Sequence, residues 1–127
     1  MAQINLQAFG YNEFITKSGN YTVVAADNGT VINVTATATI TLPSTALGLA
    51  PIVRVGADGI TVTVAPAAAD GIGGAQMTNV VNKALIFTNA PVGSYVQLFG
   101  TGTAGVTGWT IVRLDAGGQS STVAKAP

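Results

Sequence analysis

The sequence predicts an all-β protein: a single small β-sandwich or β-barrel of jelly-roll type, with about eight short antiparallel strands. Short runs rich in Val, Ile and Thr follow one another along the chain, separated by turn residues. Several of these runs alternate apolar residues with threonine, which is the period of a half-buried strand. No segment shows the 3.6-residue periodicity of an amphipathic helix, and the 127 residues suit one domain.

Charge is scarce in this chain. Charged residues make up 8% of the sequence, with five basic and five acidic side chains, against about 25% in an average soluble domain. Hydrophobic residues reach 48%, so the composition is that of an ordered chain rather than a disordered one. Little charge repulsion keeps such molecules apart. We therefore expect other subunits to cover much of the surface.

Several classes of function are disfavoured by missing residue types. The chain has no histidine and no cysteine, which removes the usual nucleophilic pairs, imidazole metal sites, zinc ribbons and disulfides. The five basic residues are scattered, so no nucleic-acid surface is expected, and no apolar run approaches the length of a membrane span. The acidic residues are spread over the chain, four of the five in apparent turns, and they are Glu13, Asp27, Asp58, Asp70 and Asp115. We expect no enzyme activity, no cofactor and no metal.

The segment 21–43 gives the clearest strand pattern. Residues 21–26 predict a strand, Asp27-Asn28-Gly29 a turn, and residues 30–42 either one long strand or two strands with a bend near Asn33-Val34. Four threonines alternate with apolar residues in the second half of this run, and they are Thr35, Thr37, Thr39 and Thr41. A strand face that carries threonine but no charge is predicted to contact another protein.

The later segments predict further strands in order. Residues 52–55 and 60–64 predict a hairpin around the turn 56–59, and the Gly-, Ala- and Pro-rich stretch 65–76 predicts a loop. The remaining segments are 77–82, which stays ambiguous, the strands 84–88 and 95–99, the hairpin loop 100–108 and the closing strand 109–114. Trp109 is expected to anchor the core, with sugar stacking as the alternative.

The two ends of the chain differ from the middle. Residues 1–18 form a predicted N-terminal arm, 19–115 the β-domain and 116–127 a flexible tail. The arm is rich in aliphatic and aromatic residues, and its predicted contact residues are Ile4, Leu6, Phe9, Tyr11 and Phe14. Either the arm adds a strand to the sheet edge of a neighbour, or it forms the first strand of its own domain.

The stretch from about residue 20 to residue 114 resembles a module found in structural proteins of tailed bacteriophages. That module runs from an aromatic-Thr-Val start through an Ala-Asp-x-Gly turn, a strand ending in Thr-Leu-Pro, a Gly-rich hairpin and a closing Trp strand. The positions of this chain that match are Tyr21, Asp27, Gly29, Leu42, Pro43, Gly56, Gly59 and Trp109.

The resemblance implies a virion protein without enzymatic activity. A short copy of the module is similar to capsid decoration, or cement, proteins, which bind the outside of the assembled head and stabilise it. It implies the major capsid protein and further copies of the chain, as a homotrimer, as partners. It also implies synthesis in the host cytoplasm and a final location on the outer capsid surface. The alternative is a head or tail appendage that binds host-surface glycan, which requires Tyr21, Tyr95 or Trp109 to be exposed.

Overall fold

The computed structural model describes residues 13–74, 77–116 and 123–125. Within these ranges the protein is a β-sandwich of two sheets, as predicted. The seven-stranded sheet contains β1 (Glu13–Lys17), β3 (Thr30–Val34), β5 (Ile52–Val55), β7 (Asp70–Gly74), β8 (Met77–Val81), β10 (Tyr95–Gly100) and β11 (Gly105–Asp115). The five-stranded sheet contains β2 (Tyr21–Thr22), β4 (Ala38–Thr41), β6 (Thr61–Ala65), β9 (Leu85–Thr88) and β12 (Val123–Lys125).

The first half of the chain winds as a flattened coil between the two sheets. The spatial orders are β1-β3-β5-β10-β11-β7-β8 in one sheet and β12-β9-β6-β4-β2 in the other. Successive strands from β1 to β6 therefore enter alternate sheets, and β1, β3 and β5 run parallel, as do β2, β4 and β6. The predicted sandwich is confirmed, but the described ranges contain twelve short strands, and of their ten pairings five are antiparallel and five are parallel. A chain that crosses to the other sheet after each strand returns to the first sheet in the same direction, whereas a hairpin would reverse it.

The predicted hairpin of residues 52–55 and 60–64 is a crossover between the sheets. Strand β5 pairs with β3 on one side and β10 on the other, so it has no edge left for β6. The turn cluster at 56–59 is present, with Gly59 at φ 73°, but it carries the chain into the opposite sheet. Turn residues alone do not specify whether the flanking strands pair.

The run 30–42 is two strands, which confirms that alternative, but the break follows Val34 and does not fall at Asn33-Val34, since both of these residues pair within β3. Residues 35–37 separate β3 from β4, and the two strands lie in different sheets. The preceding strand, β2, ends at Thr22 instead of Ala26, because residues Ala25–Asp27 form a short 3₁₀ turn.

Three strands lie where the sequence predicted a loop, an arm and a tail. Strand β7 occupies part of the predicted loop 65–76. A Cβ on Gly74 would lie 3.0 Å from the Cβ of Ile111, so glycine here permits close approach between strands. Residues 13–17 of the predicted arm form β1, which pairs with β3 of its own domain, as the second alternative for the arm predicts, and β12 pairs with β9 within the predicted flexible tail. The ambiguous segment 77–82 contains β8.

The core lies between the facing sides of the two sheets. Trp109 of β11 and Phe87 of β9 are the largest fully buried side chains, and they belong to one hydrophobic cluster contributed by both sheets. The prediction that Trp109 anchors the core is confirmed. The sides of the two sheets that face away from this core carry three of the candidate contact residues, Phe14, Thr39 and Thr41.

Candidate contact surfaces

The predicted contact residues do not form one surface. Phe14 lies on the outward side of β1 in the seven-stranded sheet, whereas Thr39 and Thr41 lie on the outward side of β4 in the five-stranded sheet. The arm residues Ile4, Leu6, Phe9 and Tyr11 lie outside the described residues.

Thr35 and Thr37 lie in the crossover between β3 and β4, and not on the face of a strand. The backbone N–H of Thr35 donates to the Lys17 carbonyl at 3.0 Å. The Thr37 hydroxyl accepts a hydrogen bond from the backbone N–H of Thr61 at 3.1 Å. Their alternation with Thr39 and Thr41 in the sequence is therefore broken in space by the change of sheet.

The outward side of the five-stranded sheet is a surface that we call the threonine face. Its six threonines are Thr22, Thr39, Thr41, Thr61, Thr63 and Thr88. Strand pairing places Thr39 beside Thr63, Thr22 beside Thr41, and Thr61 beside Thr88, at strand spacings of about 4.8 Å. The other outward residues of β2, β4, β6 and β9 are Ala65 and Ile86, so these strands present no charge on this side.

The threonine face contains threonines that were not among the predicted contact residues. Thr61 and Thr63 alternate with Val62 and Val64, both of which are fully buried, and this alternation is visible in the sequence. What the sequence does not show is that β6 lies in parallel register beside β4. These threonines lie on one face because the chain winds between the two sheets and thereby places β6 beside β4.

The outward side of the seven-stranded sheet has a different chemistry, and we call it the arginine face. It carries both arginines of the chain, Arg54 and Arg113, with Tyr95 and Gln97 on the strand between them. Phe14 and Phe99 on the same side of the sheet are 50% and 40% exposed. Sequence reasoning missed this face, because its residues lie far apart in the chain. Pairing through β10 places Arg54 in one row with Tyr95 and Asp115, and Arg113 in the next row with Gln97 and Ile52.

Arg54 is held in place by neutral groups. Its guanidinium donates a short hydrogen bond to Oδ1 of Asn33 and lies 6.0 Å from the centroid of the Phe14 ring. The Asn33 side-chain amide in turn donates to the Thr16 hydroxyl at 3.5 Å. This row of side chains crosses β1, β3 and β5 and fixes the orientation of the guanidinium.

The end of the sandwich at β1 and β2 is closed by a chain of polar contacts. The Lys17 ammonium lies 4.3 Å from the centroid of the Tyr21 ring, and the Tyr21 hydroxyl donates to Asp27 Oδ2 at 2.7 Å. The hydrogen bond to Asp27, followed by burial and the negative charges of Asp27 and Glu13, raises the pKa of Tyr21 to about 12. Tyr21 is thus a structural residue at this end of the core.

Two of the three aromatic residues that the glycan-binding alternative requires already make structural contacts within the fold. Trp109 is 0% exposed, so it cannot stack on a sugar without unfolding of the strand. Tyr21 is tied to Asp27, and only Tyr95 stands on an outward face, where it is half-buried.

The amides and carboxylates of the turns hold the fold together. Asn20 Oδ1 accepts from the Thr39 N–H at 2.8 Å, and Asn28 Oδ1 accepts from the Ala50 N–H at 2.9 Å. Asp70, 1% exposed, accepts from the Thr45 N–H at 2.8 Å. Among the described residues, no group of three or more acidic side chains could hold a metal ion.

Comparison with known proteins gives no indication of function, so a function has to be inferred from the fold and from these surfaces. No family model matches the chain, and no curated protein resembles it significantly. Across the described ranges, no helix has the length and apolar character needed to cross a bilayer.

Proposed function

We propose that the protein is a non-enzymatic decoration protein that binds the outside of an assembled bacteriophage head and stabilises the shell. The single observation that supports this most is the threonine face. It carries six threonines, and the outward residues of β2, β4, β6 and β9 include no charged side chain, in a chain whose charged residues make up only 8% of the sequence. The resemblance of residues 20–114 to a phage structural module supplies the identity of the partner.

An uncharged strand face suits a permanent protein contact. The centres of protein interfaces are depleted of charge, because a charge that loses its water needs a partner. Threonine has a hydroxyl that can exchange water for a partner's backbone group, and a methyl that contributes apolar area. Ile86, half-buried among these threonines, adds apolar surface to the same face.

The stabilisation follows from mass action. A protein that binds the intact shell and not the disrupted one shifts the equilibrium toward the intact shell by an amount that grows with its concentration and affinity. No catalytic residue is needed for this activity, and the protein works by occupying a site that exists only after assembly.

The proposal is tested by rebinding purified protein to heads stripped of it, with the temperature of genome release as the second readout. The wild-type protein is expected to bind and to raise the release temperature. The double variant Thr39→Lys/Thr63→Lys puts two adjacent charges at the centre of the face. We expect it to bind roughly tenfold more weakly or worse, while it folds normally.

The matched control is Thr107→Lys, which places a lysine at an exposed threonine of β11, on the other sheet. It is expected to bind like the wild type. Failure of the wild-type protein to rebind or to change the release temperature would overturn the proposal. Binding to host-cell glycan without binding to heads would replace it with the appendage function.

A further inference from the structure

Three dipeptides in this chain have the chemistry for a spontaneous rearrangement of the backbone. They are Asn28-Gly29, Asp58-Gly59 and Asp70-Gly71. In an Asn-Gly or Asp-Gly pair the backbone nitrogen of the glycine can attack the side-chain carbonyl carbon of the residue before it, because glycine has no side chain to hinder the approach. The product is a five-membered succinimide ring. All three pairs share this capacity in the sequence, and the structure distinguishes them.

The Asn28-Gly29 pair is held at both of its reacting groups by one residue. Oδ1 of Asn28 accepts a hydrogen bond from the Ala50 N–H at 2.9 Å, and the Gly29 N–H donates to the Ala50 carbonyl at 3.0 Å. Asn28 has a ψ of 125°, which points the Gly29 nitrogen away from the Asn28 side chain. Ring closure therefore requires that both hydrogen bonds break and that the backbone rotates.

The Asp70-Gly71 pair is buried within a sheet. Asp70 is 1% exposed, and its Oδ2 accepts from the Thr45 N–H at 2.8 Å. Both residues belong to β7, which pairs with β8 on one side and β11 on the other. In an extended strand the nitrogen of the next residue lies away from the side chain, and the water that opens a succinimide does not reach a buried strand. This pair is therefore protected as well.

The Asp58-Gly59 pair has neither form of protection. Both residues are exposed in the turn 56–59, and within the described ranges the structure shows no hydrogen bond for the Asp58 carboxylate or for the Gly59 N–H. Apart from the chain neighbours of Gly59, the nearest atom to a Cβ added at this glycine would be Oδ1 of Asn89 at 4.0 Å. The turn therefore has room to rotate, and water reaches the atoms that react.

We propose that Asp58-Gly59 is the site at which the folded protein rearranges to isoaspartate, while Asn28-Gly29 and Asp70-Gly71 stay intact. The Gly59 nitrogen forms a bond to Cγ of the protonated Asp58 carboxyl group, and the amide hydrogen leaves with the carboxyl hydroxyl as water. A second water molecule then adds to one carbonyl of the ring and breaks the bond from that carbonyl to nitrogen. When it adds to the α-carbonyl, the main chain runs through Cγ. Isoaspartate thus has the same atoms as aspartate and one more carbon in the backbone.

This chemistry needs no partner, so it does not depend on the proposed function. The product keeps the single negative charge of Asp58, whereas deamidation at Asn28 would add a negative charge. The added backbone carbon lies in the crossover between β5 and β6, at residues whose side chains are outside the core. The rearranged protein is therefore expected to stay folded.

The experiment is to age the full-length protein at neutral pH, below its unfolding transition, in water labelled with heavy oxygen. Trypsin cleaves after Arg54 and Lys83, so Asp58 and Asp70 lie in one peptide, and fragmentation of that peptide assigns the label. Heavy oxygen and reactivity toward an isoaspartate methyltransferase are expected at Asp58. Asn28 and Asp70 are expected to react slower by on the order of tenfold or more, because each has to wait for local unfolding.

Asp58→Glu is the matched control, because it keeps the charge but requires a six-membered ring, which closes much more slowly. It is expected to take up no label in the turn. In denaturant the order of the sites is expected to change, with Asn28 the fastest, since Asn-Gly pairs form succinimides faster than Asp-Gly pairs at neutral pH. Three results would each overturn the inference: an unlabelled Asp58 in the folded protein, folded-state reaction at Asn28 or Asp70 as fast as at Asp58, or label in the turn of Asp58→Glu.

Discussion

Asp27 holds the first turn of the coil together through a single carboxylate oxygen. Its Oδ2 accepts from the Tyr21 hydroxyl at 2.7 Å and from the Val24 backbone N–H at 2.9 Å. Gly29 follows at φ 72° and donates to the Ala50 carbonyl. The Asp-Asn-Gly cluster that looks like a generic turn in the sequence therefore ties β2, the 3₁₀ turn and a distant loop to one another.

The Tyr21 hydrogen bond makes stability depend on pH in the alkaline range. The folded-state pKa of about 12 exceeds the unfolded value of about 10, so folding favours the neutral phenol. The stabilisation is complete below pH about 10 and is lost as pH rises through about 12. Tyr21→Phe is expected to lower stability at neutral pH by about 1 kcal/mol and to flatten this loss. Chemical denaturation of both proteins across this range measures it, and identical pH slopes would contradict the assignment.

Gly100 is required because another backbone segment passes directly over it. Its N–H donates to the Leu49 carbonyl at 2.8 Å, and its carbonyl accepts from Gly48 at 3.0 Å. A Cβ at this position would collide with the carbonyl oxygen of Ala46. Gly100→Ala is expected to cost roughly 2 kcal/mol or more of unfolding free energy.

The matched control for that substitution is Gly19→Ala. No atom lies within 4 Å of a Cβ added to Gly19, and its backbone does not have a positive φ. The variant is expected to change the unfolding free energy by less than about 0.5 kcal/mol. Equal effects of the two substitutions in denaturant titrations would show that the loop 46–49 does not pack on β10 as described.

Strand β6 shows how one element serves both the core and a surface. Its inward residues, Val62 and Val64, are 0% exposed, whereas its outward residues, Thr61 and Thr63, are half-buried. Strand β4, its parallel neighbour, repeats the same division. The period-two pattern therefore builds the sandwich and the threonine face together.

The two sides of β6 are expected to respond very differently to truncation. Val64→Ala opens a cavity between the sheets and is expected to lower the free energy of unfolding by about 2 kcal/mol. Thr63→Ala removes only an outward hydroxyl and methyl, and should cost about 0.5 kcal/mol or less. Thermal or denaturant unfolding of the two variants gives both values. If Thr63→Ala lowered the free energy of unfolding more than Val64→Ala, the opposite face of β6 would have to point toward the core.

At the scale of the whole molecule, both sheets share one core. Buried residues of β3, β5, β10 and β11 on one side, and of β4, β6 and β9 on the other, belong to a single cluster. Neither sheet can bury its apolar side without the other. This arrangement favours a single cooperative unfolding transition.

Trp109 reports on this cooperativity, since it is the one tryptophan of the chain and is fully buried. We expect blue-shifted emission that external quenchers do not reach in the native state. Unfolding followed by this emission should coincide with unfolding followed by far-ultraviolet circular dichroism. Two separate transitions would show that the sheets unfold independently.

Composition and period-two alternation determined the fold class, the buried role of Trp109 and the outward direction of Thr39, Thr41, Thr61 and Thr63, because these properties depend on local pattern. Which strands pair depends on long-range contacts, which single turns do not encode. Tertiary structure alone decided that residues 56–59 are a crossover, that β7 and β12 are strands, and that Thr35 and Thr37 leave the face of their neighbours. It also brought Arg54 into one row with Tyr95 and Asp115. Parallel pairing joins residues distant in the chain, and its register is set by the packing of two sheets against one core.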